Sequence, residues 1–140
     1  MVRNVDEWYY NHAIFNLMDE ELKTYVGFVY CVTELATNKK YIGKKLFWAS
    51  KTLPVTKTRK KKTKIKIQSD WKTYCGSSEE VKRLVESGSE FKREILRLCT
   101  SKGECSYFEA KMQFENDVLL REDYFNSFIG CKIHAKHLKL

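Results

Sequence analysis

No acidic residue occurs from Leu35 to Ser69, a stretch that carries twelve of the 26 lysines and arginines. A one-signed block of that length has no internal partner for its charge and implies a polyanion. It contains no amphipathic basic helix, which turns the reading from a membrane surface to nucleic acid. No apolar run approaches the length a membrane span requires. Met1 to Met18 lacks the basic-then-apolar layout of a secretory leader, so the expected location is the cytoplasm. The five cysteines (Cys31, Cys75, Cys99, Cys105 and Cys131) form no C-x-x-C pair and are odd in number, which fits reduced thiols and argues against structural zinc. His134-x-x-His137 has ligand-like spacing but stands in a basic tail, where solvent-facing or phosphate-facing histidines are the usual case. There is no Gly-rich phosphate loop, no H-E-x-x-H and no G-x-S-x-G, which sets aside three large enzyme classes.

With 43% hydrophobic and 31% charged residues over 140 positions, the composition fits one soluble domain, 1–140. The most telling pattern is an eleven-residue step from Tyr30 to Tyr41. It joins two β-branched and aromatic runs, Val26 to Val32 and Tyr41 to Phe47, through polar Thr33 to Lys40. That pattern predicts a β-hairpin. With the turn centred between Leu35 and Ala36, Tyr30 and Tyr41 oppose each other and project from one face. Lys40 and Lys44 flank the pair, and nearby positive charge eases deprotonation of a phenol.

Elsewhere the periodicities are simpler. Trp8, Phe15, Met18 and Leu22 form a helical stripe, predicting an N-terminal helix over 5–22, within a segment 1–24, that packs on the domain or makes a subunit contact. Residues 47–70 read as a basic arm or insertion: Lys64-Ile65-Lys66-Ile67 alternates as in a two-stranded finger, and a mobile loop would show the same composition. Ser77-x-x-Glu80 opens a helix that Ser87-Gly88 ends, Phe91 to Cys99 reads as a third strand, and Ser101-x-x-Glu104 opens a helix over 104–121. The expected fold is α+β: a small three-stranded antiparallel sheet flanked by helices, with an N-terminal helix and a basic arm.

Phe28-Val29-Tyr30 and Tyr41-Ile42-Gly43, followed by Tyr74-Cys75-Gly76-Ser77-Ser78, Glu90 to Leu96, a helix carrying Glu109 and Tyr124-Phe125-Asn126, resemble the GIY-YIG nucleases, phage homing endonucleases among them. Phe-Val replaces Gly-Ile before the first tyrosine. The resemblance spans about 25–126 and implies a phosphodiester hydrolase. Tyr30 is then the general base, Tyr41 positions water or the scissile phosphate, and Lys44 orients Tyr30 and offsets phosphate charge. Glu109 is the ligand of a single Mg²⁺ or Mn²⁺, and Asn126 is the family's closing asparagine.

Glu109 lies within about 60° of Met112 around its helix, at the edge of the apolar stripe, where a carboxylate can border a sheet. Glu104 and Glu115 are the alternatives one turn or so away. The family's transition-state arginine has no clear equivalent. Its position falls on Lys51, and Arg59, Lys72 and Arg83 are rivals, with Lys72 preferred beside Trp71. Lys40, Lys45, Lys57, Arg59, Lys60, Lys61, Lys62, Lys64, Lys66 and Trp71 are the expected nucleic-acid contacts. The expected partner is DNA, with a homo-oligomer as a further candidate and no membrane association. The competing readings are a binding module that has lost the reaction, and a nuclease acting on RNA or branched DNA.

Overall fold

The computed structural model describes residues 7–58 and 60–130. In chain order its elements are β1 (Trp8–Tyr10), β2 (Ala13–Ile14), α1 (Asp19–Leu22), β3 (Gly27–Glu34), β4 (Lys40–Leu46), β5 (Trp48–Leu53), β6 (Thr63–Gln68), α2 (Glu79–Glu86), β7 (Phe91–Cys99) and α3 (Lys102–Glu115). The expected α+β class holds. The three expected strands form the antiparallel run β7-β3-β4. The sheet is larger than expected, however: β1 joins β7 in parallel and β2 adds an outer strand, giving a mixed five-stranded order β2-β1-β7-β3-β4.

Of the N-terminal helix expected over 5–22, the described residues from 7 onward form only the single turn α1. Trp8-Tyr9-Tyr10 is an aromatic run suited to a strand, and Asn11 and His12 both take positive φ, 51° and 66°, between the paired residues Tyr10 and Ala13. A two-residue loop with both φ positive is the hairpin turn whose twist matches its strands, and asparagine tolerates it well. The stripe is helical in spacing only. Trp8, Phe15 and Leu22 are nevertheless buried in the core, whereas Met18 is exposed.

Strand alternation divides the buried side chains between two faces. On one, Phe28, Tyr30 and Val32 join Trp8, Phe47, Trp71, Val81, Ile95 and Phe125 in an aromatic-rich cluster. On the other, Val29, Cys31 and Ile42 pack under α3 with Cys99, Cys105 and Val118. Ser101 caps α3, its hydroxyl accepting from the Glu104 N–H at 3.1 Å, as the box predicts. The helix stops at Glu115 rather than 121, because Asp117 takes a left-handed φ of 49°. For α2 the cap is Ser78, one residue later than the box places it. Ser77 is left for another partner.

The basic arm is the expected two-stranded finger, a separate sheet with Trp48 opposite Gln68 and Leu53 opposite Thr63. Ser50, Thr52, Lys64 and Lys66 alternate onto one face, and Ala49, Lys51, Leu53, Ile65 and Ile67 onto the other.

Candidate active site

Tyr30 and Tyr41 share a face, but not as an opposed pair. Tyr30 pairs with Gly43 and Tyr41 with Val32, so the turn is centred one residue later than expected. The register difference is two residues, which preserves the face. The tyrosines are therefore diagonal neighbours, with ring centroids 6.3 Å apart. A register shift between Val29 and Tyr30 leaves Leu96 of β7 as an extra residue there, and such a bulge re-aims the side chain beside it.

The Tyr30 ring lies across Gly43. A Cβ at position 43 would stand 2.5 Å from Tyr30 Oη and 2.7 Å from Cζ, so only glycine fits. Gly76, with φ of +117°, closes over the same hydroxyl: its Cβ position is 3.6 Å from Tyr30 Oη and 3.4 Å from the Tyr41 ring. Tyr30 is wholly buried, and its hydroxyl is the one buried side-chain polar atom without a hydrogen-bond partner among the described residues. Tyr74 stands edge-on at 5.9 Å, close enough to act on the phenol's ionisation. Tyr41 is half-buried, its hydroxyl 2.8 Å from Ser77 Oγ.

The expectation that cations ease ionisation of Tyr30 fails. Lys40 and Lys44 alternate onto the opposite face of β4, the face under α3. Burial first, then Tyr74 and Tyr41, hold the Tyr30 phenol well above its ordinary value. Burial also raises Tyr41, against the opposing effect of its bond to Ser77. The tyrosine face carries Lys45, whose Nζ lies 4.1 Å over the Tyr74 ring and 2.6 Å from Asp70 Oδ1, and Arg93, which pairs with Val32 and lies 4.8 Å from the Trp8 ring.

Glu109 reaches this region around the edge of the sheet. β4 is an edge strand, and its outward backbone groups are capped in sequence. The Lys40 N–H donates to Asp123 O, and Lys40 O accepts from the Phe125 N–H. The Ile42 N–H donates to Asn126 Oδ1 at 3.0 Å, while Ile42 O accepts from Asn126 Nδ2 at 2.8 Å and Gln113 Nε2 at 2.9 Å. The Lys44 backbone N–H is the next outward group on this edge. Burial raises the Glu109 carboxyl above its ordinary value, against the charge and N–H of Lys44. The Tyr30 hydroxyl lies over Gly43, and the charge of Glu109 acts on both phenols.

The other sequence candidates divide. Lys44 Nζ donates to Ser106 Oγ at 2.7 Å and belongs with Glu109, not with Tyr30. Asn126 is buried and holds the C-terminal segment on β4. Trp71 is a core residue, 4% exposed, with its indole N–H donating to Gln68 Oε1; a large apolar ring beside Phe47 and Phe28 leaves nothing to offer a nucleic acid. Lys72 is exposed, and its Nζ lies 5.8 Å from the Trp71 ring rather than against either phenol. Lys51 and Arg83 are exposed on β5 and α2. Glu104 is engaged by Arg97 and Thr100, and Glu115 by Lys111. Lys57, Lys60, Lys61, Lys62, Lys64 and Lys66 are exposed along the arm. Arg59 and the His134-x-x-His137 pair lie outside the described residues.

Gln113 and Arg93 have no sequence signal beyond their positions. Arg93 is buried in β7 and donates to Lys72 O at 2.8 Å and Tyr74 O at 2.9 Å, fixing the loop that presents Tyr74.

Residues 8–129 match the family model described as putative endonuclease segE, GIY-YIG domain. The chain belongs to the GIY-YIG nuclease family. No curated protein and no solved structure matched it. The family supports an endonuclease function. Among the described residues no helix is long and apolar enough to cross a membrane.

Proposed function

We propose that this GIY-YIG domain hydrolyses phosphodiester bonds in DNA, with Tyr30, Tyr41 and Glu109 as its working groups. The observation that carries this reading is the unpartnered hydroxyl of Tyr30, buried over Gly43, on which the charge of Glu109 acts. A buried polar atom without a partner costs about 1–3 kcal/mol, and a site that uses it for water explains why it persists.

No group of three or more potential metal-ligating side chains occurs among the described residues. One half-buried carboxylate still fits Mg²⁺ or Mn²⁺, because such ions take one or two carboxylates and complete their shell with water and substrate phosphate. Glu109 would hold the ion, and a cation there would offset the burial that raises its carboxyl. When bound, the ion would supply charge stabilisation at the leaving oxygen.

The remaining roles belong to this chain's own side chains. Tyr30 and Tyr41 orient the water. A protonated phenol can accept the water's proton only by passing on its own; a second water between Tyr30 and Tyr41 would carry that proton to the Tyr41–Ser77 pair, bonded at 2.8 Å, and so to solvent. Lys44 balances charge next to Glu109, and Lys45 does so on the phenol face. The arm's exposed lysines hold the flanking duplex.

One observation favours a second reading, a binding module without the reaction: the phenol is held high by burial, and on that face Lys45 is engaged by Asp70 and Arg93 by the Lys72 and Tyr74 carbonyls. Incubating the protein with supercoiled plasmid, branched DNA and structured RNA at one salt concentration, with Mg²⁺ and then Mn²⁺, separates the cases. Preferential nicking of DNA is expected. Binding without cleavage of any of the three would establish the second reading.

A further inference from the structure

A cleft of about 400 Å³ opens between the edge of β4, the base of the arm and α3. Lys44, Leu46, Trp48, Lys102, Cys105 and Ser106 form most of its wall, and none of its lining residues is acidic. The ammonium of Lys45, which also lines it, is held by Asp70. The Trp48 ring is fixed by its N–H, which donates to Tyr25 O at 3.0 Å. Ser106 Oγ holds Lys44 Nζ at 2.7 Å.

Lys102, Ser106 and Glu109 fall at spacings of four and three, which places them on one stripe of α3. At ~1.5 Å per residue, Ser106 stands about 4.5 Å and Lys102 about 10 Å along the axis from Glu109. Successive phosphates of one strand advance ~3.4 Å along a duplex axis, so the stripe spans the reach of the phosphates next to the cleaved one. The stripe therefore leads from the carboxylate to a cleft whose lining includes lysines and an indole.

We propose that this cleft is a subsite for one nucleotide of the cut strand adjoining the cleavage position. Its phosphate rests on Lys102 and Ser106, and its sugar and base lie against Leu46 and Trp48. The assignment rests on the reading of Glu109 as the marker of that position. It names a contact, Lys102, that the arm's charge block does not include.

The test is DNA binding by the full chain in chelator, where no cleavage intervenes, followed by fluorescence anisotropy over a series of salt concentrations. Lys102→Ala is expected to weaken binding three- to tenfold and to lower the salt slope by about one. Lys102→Arg should restore both, and Lys111→Ala, on the same helix outside the cleft, should change neither. DNA should also quench the Trp48 fluorescence, a signal that Trp48→Phe removes, since Trp8 and Trp71 are buried. Unchanged binding and slope in both Lys102→Ala and Lys102→Glu would overturn the subsite, as would an equal loss in Lys111→Ala. Wild-type protein that nicks DNA while the Lys102 variants bind normally refutes the subsite alone. Lys102-dependent binding without any nicking refutes the hydrolytic reading and leaves the subsite standing.

Discussion

Replacing Tyr30 by phenylalanine removes one oxygen from a wholly buried ring whose hydroxyl has no partner. The ring contacts with Trp8, Phe28, Tyr41 and Tyr74 remain. Stability and activity should therefore move in opposite directions. Relief of an unsatisfied buried hydroxyl is worth about 1–3 kcal/mol. For a chain of this size ~1–2 kcal/mol corresponds to roughly 3–6 °C in Tm. Loss of a general base or its relay costs about 10²–10⁴-fold in rate. Thermal unfolding by circular dichroism and single-turnover nicking measure the two. A lower Tm would mean that the hydroxyl is satisfied in the folded protein. An unchanged nicking rate would remove Tyr30 from the chemistry whatever the Tm.

Asn126→Ala should lower stability by about 1–3 kcal/mol, because it strips the Ile42 N–H of its acceptor at the sheet edge while Gln113 still serves Ile42 O; chemical denaturation reads the change in midpoint, and no change would mean another group caps that strand. Burial opposes ionisation of Glu104, yet the Thr100 N–H and hydroxyl together with Arg97 outweigh it and hold the carboxyl below its ordinary value. Its stabilisation is thus present above the unfolded carboxyl range and lost as pH falls through the depressed folded value, a decline that Glu104→Gln should flatten in Tm-against-pH curves. Neutralising Lys60, Lys61 and Lys62 together should reduce the salt slope of DNA binding by about 0.9 for each phosphate that these lysines neutralise in the wild type; an unchanged slope would show that the arm does not touch the backbone.

The parts of the fold legible in the chain are those whose signals are local. The Tyr30–Tyr41 hairpin, the strand from Phe91 and the Ser101 cap follow from alternation, β-branching and side-chain capping. The expected register differs from the observed one by two residues, since polar Thr33 to Lys40 permits several turns; Tyr30 across Gly43 is settled by packing. The N-terminal segment misleads because spacings of seven, three and four fit a helix, while Asn11 and His12 at positive φ decide for a hairpin. Trp71 adjoins the basic arm in sequence, yet the aromatic core claims it. The site is harder to read. Nearness along the chain puts Lys40 and Lys44 with the phenols, but a period of two sends both behind the sheet and leaves Lys45 in front. Gln113 and Arg93 act on backbone carbonyls far away in sequence, and nothing local marks such partners.

The most direct test of the site around Gly43 is plasmid nicking by wild-type protein and by Glu109→Gln, each with Mg²⁺ or Mn²⁺ and with chelator. Removing a carboxyl that burial holds above its ordinary value should leave the fold at least as stable at neutral pH, so a loss of cutting reports on chemistry. The expected result is nicking by the wild type that chelator stops, with none by Glu109→Gln while both proteins bind DNA alike. Undiminished, metal-independent nicking by Glu109→Gln would contradict the convergence of Tyr30 and Glu109 as one hydrolytic site.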